Sequence, residues 1–359
     1  MQFHLSEEQL AIQDSLRGTL AETVNRDVLH ALVDSEDDFH PASWRSLCEL
    51  GLMGIAVAEE AGGAGLGLVD AALAVEVAGE AGAPGPLVGQ MLTAIALSRC
   101  DSSAVREQYL DGVVAGDSVA TLAWNNAPEP GGWEVATDGV TVTGTVRFVQ
   151  AAHAAKLFLV GTVGGGMALV AAGEGVEITA QPSTDRSRKM AAVTFANAPV
   201  VHAFDAGSPT VNWLFNAALV LFAADAFGGA ERCLEMSVSY AKEREQFGHP
   251  IGQFQALKHQ LATMALEVES ARGLLWYAAY ALDSNLPDAQ HAAAMAKAHI
   301  SDRAVSVARA AVAAHGGIGY TWEYGLNIWF RRAAANAALL GSAAQHRERA
   351  AQMRESAGA

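Results

Sequence analysis

The sequence predicts an α+β protein that is mostly α: an N-terminal helical domain, a middle antiparallel β-domain and a C-terminal four-helix bundle. Three observations predict it. Apolar residues recur at helical spacing through residues 1–115 and again after about residue 208. Between these stretches the period shortens, and brief apolar runs alternate with glycine-rich turns. The last third carries long helical segments parted by clean breaks at Asn285-Leu286-Pro287 and Gly316-Gly317-Ile318-Gly319. The expected boundaries are 1–116, 117–207 and 208–359, which suits a 359-residue chain of two or three domains.

The N-terminal domain opens on Leu5-Ser6-Glu7-Glu8-Gln9, where Ser6 is placed to cap a helix with acids in its first turn. Leu10, Ile12, Leu16, Leu20 and Val24 continue it. A second helix, Ser43–Leu50, ends at Gly51. The glycine-rich run Ala61-Gly62-Gly63-Ala64-Gly65-Leu66-Gly67 fails the GxGxxG dinucleotide pattern, because Leu68 occupies the third glycine's place. It reads as a flexible connection before a helix over Val69–Gly79. Helical character continues to 115, with a break at Pro84-Gly85-Pro86.

The middle domain begins with β-like Ser118–Trp124 and a turn-rich loop, Asn125–Gly132. Asp138-Gly139 signals a hairpin between Trp133–Ala136 and Val140–Val149. Leu157–Val163, Met167–Ala172, Val176–Thr179 and Ala192–Phe195 follow as short strands of a sandwich or barrel. The C-terminal segments are Val211–Glu243, Gln253–Ser284, Pro287–Ala314 and Tyr324–Met353, joined by the short connections of an antiparallel bundle.

Net charge is −16, from 23 basic and 39 acidic residues, which argues against nonspecific nucleic-acid or anionic-membrane binding. Half the residues are apolar, enough for a large core. The three cysteines, Cys48, Cys100 and Cys233, are scattered and form no CxxC, as expected of reduced, buried thiols in a cytoplasmic protein, and no metal centre is expected. The polar, acidic opening predicts no targeting segment. Ala217–Gly229 is the most membrane-like run, but it is short and interrupted by Asp225.

Two motifs stand out. Arg244-Glu245-Gln246-Phe247-Gly248-His249-Pro250-Ile251-Gly252-Gln253-Phe254-Gln255 sets a basic residue and glycine-flanked amides where one helix ends and the next begins, a place suited to phosphate. Taken alone, it reads first as an ordinary helix–helix loop with a solvated arginine. His315-Gly316-Gly317-Ile318-Gly319-Tyr320-Thr321-Trp322-Glu323 carries three glycines in four residues. A helix C-cap explains one of them; close approach of a flat ligand explains all three. Arg331 and Arg332 follow, and nothing local decides whether they are surface charges.

The order α–β–α, with Arg-x-x-Phe-Gly-x-x-Ile-x-x-Phe-Gln in the last bundle, resembles the acyl-CoA dehydrogenase family of flavoproteins. Leu50–Ile55 through Glu59–Gly65 and the two motifs carry the resemblance, which spans essentially the whole chain. It implies FAD between the middle domain and the bundle, completed by a neighbouring subunit. Arg244, Gln246, Phe247 and Gln255 would reach the cofactor across the interface, the guanidinium matching a pyrophosphate, and Gly316 and Gly317 would lie against the same FAD. Trp124 and Asn125, with Asn126, fall where the family has its flavin-contacting Thr-Glu-Pro segment; Phe148 and Gln150 fall where an aromatic and a hydroxyl residue flank the flavin.

The departures are as informative. The family's glutamate removes an α-proton from the acyl-CoA while a hydride leaves Cβ. Its usual positions are held here by Leu340 and Ala218. Asp225, two turns beyond Ala218, is the remaining candidate, and a buried aspartate with a structural partner is the competing reading; Glu235 and Glu323 are further acids. The resemblance extends to actinobacterial α2β2 assemblies of steroid degradation, in which one subunit carries the base and the other completes the FAD site. This chain fits the second role. The alternatives are a homomeric enzyme with a displaced base and a non-catalytic flavin-fold binding protein. An acyl-CoA substrate, a homologous partner in a heterotetramer or further copies in a homo-oligomer, and an electron-transfer flavoprotein as acceptor are the implied partners.

Overall fold

The computed structural model describes residues 4–358, so Met1–Phe3, on which the reading of the chain's opening partly rests, lie outside the described residues. Six helices come first: α1 (Glu7–Thr23), α2 (Arg26–Asp34), α3 (Pro41–Glu49), α4 (Leu68–Ala81), α5 (Leu87–Ser98) and α6 (Ser103–Val114). Ser6 caps α1 as expected, in a reciprocal box with Gln9 whose two bonds are both 3.1 Å. The glycine-rich run before α4 is not a flexible connection. Gly63, Ala64, Gly65 and Leu66 donate to the carbonyls of Ala58, Gly54, Val57 and Ile55 at 2.8–3.1 Å, folding the segment onto the preceding turns. A Cβ at Gly63 would run into the Val57 and Gly54 carbonyls, so glycine is there for contact, not mobility.

The strands are β1 (Ala120–Ala123), β2 (Ala136–Thr137), β3 (Thr141–Gln150), β4 (Leu157–Thr162), β5 (Gly166–Ala171), β6 (Val176–Gln181) and β7 (Met190–Phe204). They pair in the order β1-β4-β5-β7-β3-β2, with β6 also on β7. The strand pairings are antiparallel except β1 with β4, which is parallel. β7 is far longer than Ala192–Phe195, because its 15 residues serve two neighbourhoods. Residues 190–195 lie between β3 and β6, and 200–204 pair with β5. A separate apolar core of Val142, Val146, Phe158, Val193 and Phe195 fills this part of the chain.

The C-terminal helices are α7 (Pro209–Glu243), α8 (Gln255–Asp283), α9 (Ala289–His315), α10 (Leu326–Ala338) and α11 (Ala343–Gly358), with a small hairpin, β8 (Glu245–Gln246) and β9 (His249–Pro250), after α7. The fourth expected segment is therefore two helices. The chain breaks at Leu340 and Gly341, whose φ values of 57° and 93° are left-handed and cannot continue a helix. By length and composition α7 could cross a membrane, but 94% of its most apolar window is buried inside the fold, as for a core helix. α4 crosses α7 at contact distance because Gly79 and Gly228 face the Asp225 and Glu76 carbonyls, where any Cβ would collide. Cys100 and Cys233 are buried free thiols, and Cys48 is half-buried.

Candidate functional site

Arg244 ends α7 and opens the β8–β9 hairpin, in which Gln246 pairs with His249. The turn residues Phe247 and Gly248 have φ of 55° and 79°, the pattern of a type I′ turn. Phenylalanine is a strained choice there. Its ring is 90% exposed and stands edge-on to Phe254, with centroids 6.1 Å apart. Phe254 precedes α8 without offering a side-chain cap, so the amides of the first turn, from Gln255 on, face outward unsatisfied by the helix. The side chains of Arg244 and Gln255 make no hydrogen bond or ion pair among the described residues, while Gln246 Nε2 donates to the Glu245 carbonyl at 2.8 Å. A free guanidinium beside an uncapped helix start is a donor set for a phosphate.

His315 ties this hairpin to the second motif. Its ring stacks on Tyr240, one turn before Arg244, with centroids 4.6 Å apart. Nδ1 lies 2.7 Å from the Ala311 carbonyl and Nε2 3.0 Å from the Tyr324 hydroxyl. Burial holds the imidazole below its ordinary pKa, so Nδ1 donates and the neutral Nε2 accepts from Tyr324. The glycines then divide. Gly316 sits at φ 63°, ψ −138°, a conformation closed to other residues, and Gly319 presses against Val312 O. Gly317 has neither reason, and a Cβ there or at Gly316 would meet nothing within 4 Å. Both glycines thus present open backbone to whatever lies against them.

Trp124, Phe148, Gln150 and Leu340 come together around a cavity of about 40 Å³ that Phe222, Leu339 and Met190 also line. Phe148 is pushed out by a bulge in β3: its φ is 60°, the register slips between Val146 and Val149, and the ring is 52% exposed. The buried indole N–H of Trp124 has no partner among the described residues. Gln150 Nε2 donates to Gly85 O at 2.6 Å. Asn125 is not brought to the cavity by its side chain, which accepts from Glu134 N at 3.0 Å. Asn126 instead accepts from Gly341 N at 2.9 Å, and His346 Nε2 meets the Leu340 carbonyl at 2.7 Å. Together they fix Leu340 in its left-handed conformation. Ala218 is fully buried on α7, one turn before Phe222.

Asp225 is consumed elsewhere. Both its oxygens lie 3.1 Å from Arg332 Nε, one lies 3.4 Å from Arg188 Nη1, and Asn336 donates to it as well. Arg188 also pairs with Asp185 at 2.7 Å and Asn336 at 2.8 Å. Burial alone would raise the Asp225 carboxyl, but the Arg332 and Arg188 charges hold it below the usual carboxylate range. It is a structural anion whose two oxygens are engaged by Arg332, Arg188 and Asn336. Arg332, open between two readings in the sequence, is buried at 5% exposure. The Arg188 and Asn336 partners were missed; the spacing of Arg332 and Asn336 on one helical face was the available signal. Glu235 and Glu323 are exposed.

The model of the acyl-CoA dehydrogenase N-terminal domain matches residues 6–117, and that of the C-terminal domain matches residues 205–353. Acyl-CoA dehydrogenase IpdE2 of Mycolicibacterium smegmatis is 33% identical over 344 residues, covering 94% of this chain and 96% of the relative. The chain belongs to the acyl-CoA dehydrogenase family. It is thereby an oxidoreductase of acyl-CoA thioesters by descent. IpdE2 of Mycobacterium tuberculosis is 30% identical over 348 residues, 94% of each chain. Among solved structures, the Tcur3481–Tcur3483 steroid acyl-CoA dehydrogenase superposes with a TM-score of 0.89 at 30% identity, covering 98% of this chain and 99% of that one. The ChsE4–ChsE5 complex from Mycobacterium tuberculosis gives 0.88 at 27% identity, covering 98% of both. The FAD complex of PigA shares the fold, with a TM-score of 0.86 at 24% identity and 98% coverage of both chains.

Proposed function

We propose that this chain is the subunit of a heteromeric FAD-dependent acyl-CoA dehydrogenase that lacks the proton-abstracting glutamate and completes the flavin site of a homologous partner. The observation that carries this reading is the contrast between its two edges. The Arg244–Gln255 hairpin, with Gly316 and Gly317 tied to it through His315, is exposed and unengaged. The opposite edge presents Leu340, Leu339 and Phe222 around about 40 Å³, little more than the space of one water. That space has no room for an acyl chain, and an alkyl side chain stands at the base position.

FAD fits the residues present: Arg244 and the free amides of α8 suit its pyrophosphate, and open backbone at Gly316 and Gly317 suits a flat contact. When bound, FAD accepts the hydride that leaves the substrate's Cβ. This chain's own part is to hold the dinucleotide against the partner, with Phe247 shielding it from water. The α-proton goes to a partner carboxylate. Two similar structures are of paired, non-identical chains, one of them named as steroid-acting, which supports a heteromer and a sterol-derived acyl-CoA. A homomeric enzyme using Asp225 is disfavoured by its pairing with Arg332. Transfer of electrons to an electron-transfer flavoprotein and a cytoplasmic setting complete the reading.

The test is to co-purify the chain with a homologue that has glutamate at either base position and to compare it with Arg244→Ala in the same complex. The proposal expects the visible flavin spectrum to fall severalfold in the variant while the complex stays assembled. Unchanged flavin content would remove Arg244 from the site.

A further inference from the structure

Away from the flavin-facing edges, Cys100, Asp101 and His202 converge at the junction of the first helices and the sheet. Their sulfur, oxygen and nitrogen donors all lie within 4.8 Å of one another. His202 Nε2 is 3.7 Å from Asp101 Oδ1, beyond hydrogen-bond range. Neither side chain makes a hydrogen bond among the described residues, and the Cys100 thiol has only a 3.9 Å contact to the Ser102 carbonyl. Three good donors that bond so little to the protein, yet point at one place, form a set that a cation could satisfy.

The backbone beneath them is rigid. Cys100 follows α5, its amide bonded to Leu97 O at 3.1 Å and its carbonyl held by Arg106. Ser102 caps α6. His202 sits in β7, paired with Leu169 of β5, and its ring is braced edge-on by Phe204 with centroids 4.7 Å apart. The side chains are graded from inside to outside: Cys100 is buried, His202 is 16% exposed and Asp101 is 94% exposed. Asp101 is free to swing inward.

We propose that Cys100, Asp101 and His202 form a site for a zinc-class divalent cation, bound by one thiolate, one imidazole and one carboxylate with water in the fourth position. The mixed set selects zinc or cobalt over magnesium and calcium, which take oxygen shells. Metal–ligand lengths of about 2.0–2.3 Å place donors about 3.5 Å apart in a tetrahedral shell, so donors already within 4.8 Å of one another close on a cation by small side-chain adjustments. Binding exchanges the thiol proton for the metal, the proton passing to solvent. The cation would pin the α5–α6 connection to β7, a structural clamp independent of the flavin reading.

Cobalt(II) titrated into the full-length chain tests this. The expected result is a thiolate-to-cobalt charge-transfer absorption that saturates at one equivalent, is displaced by zinc and is untouched by magnesium. Cys100→Ser should abolish it. Asp101→Asn, at an exposed position that leaves folding intact, and His202→Ala should each weaken binding about tenfold or more. No band at one equivalent overturns the proposal. So does a band that survives Cys100→Ser, which would assign the thiolate to Cys48 or Cys233. If Cys100→Ser fails to fold, unaltered affinity in the other two variants overturns it.

Discussion

Asp225 of α7 and Arg332 of α10 face one another as a buried ion pair, with both carboxylate oxygens 3.1 Å from the Arg332 Nε. Both are more than nine-tenths buried, so each charge relies on the other and on Arg188 and Asn336. Arg332→Leu should therefore destabilise the fold by about 3–5 kcal/mol, because it strands the carboxylate in the interior. Urea unfolding of the lone chain measures this. A catalytic Asp225 predicts something different: a variant that folds normally and fails only in turnover.

A second buried carboxylate behaves in the opposite way. Burial, and then the charge of Glu231, push Glu76 up to about 8, although Arg272 lies 3.4 Å away. Arg272 divides its charge among Glu76, Glu231 and Glu269, so burial prevails. The folded state then binds more protons than the unfolded state between about 4.5 and 8, and stability falls as pH rises through that window. Glu76→Gln should flatten this slope and stabilise the protein at pH 8 by about 1–3 kcal/mol. Thermal melts at pH 5.5 and 8 test it, and an unchanged slope would contradict it.

Phe247 carries local strain at φ 55° with its ring 90% exposed. Phe247→Asn suits a type I′ turn and should leave the lone chain as stable or up to about 1 kcal/mol more stable. The same change should loosen flavin in the assembled enzyme. Melting of the lone chain and flavin retention of the complex are read side by side; loss of stability with unchanged flavin would refute a functional reason for the strain.

Leu340→Glu places an acid at the position the proposal assigns to the absent base, but into an apolar cavity of about 40 Å³. The variant should cost about 2 kcal/mol or more and gain no activity in the lone chain. Detectable flavin reduction by an acyl-CoA in that variant would show that the cavity admits substrate.

The α–β–α order was legible because apolar period is a local property, and so were the Ser6 cap, the Asp138-Gly139 hairpin and the two glycine-bearing motifs. What escaped the sequence was set by distant partners. The length of β7 depends on having neighbours on both halves of the sheet. The run at Gly63 looked loose because the carbonyls it packs against are invisible in one dimension. The break at Leu340 runs against residue type, since leucine rarely adopts φ 57°; Asn126 and His346 hold it there. Family resemblance pointed to Trp124, Phe148 and Gln150 as flavin neighbours, and their lining of one small cavity rests on side-chain packing, as the turning of Asn125 toward Glu134 does.

The central claim is that this chain contributes a flavin-holding edge and no base. Anaerobic addition of an acyl-CoA to the FAD-reconstituted lone chain and to its complex with a glutamate-bearing homologue tests that claim most directly, followed by the visible flavin absorbance. The account predicts bleaching in the complex and none in the lone chain. Bleaching by the lone chain would contradict it.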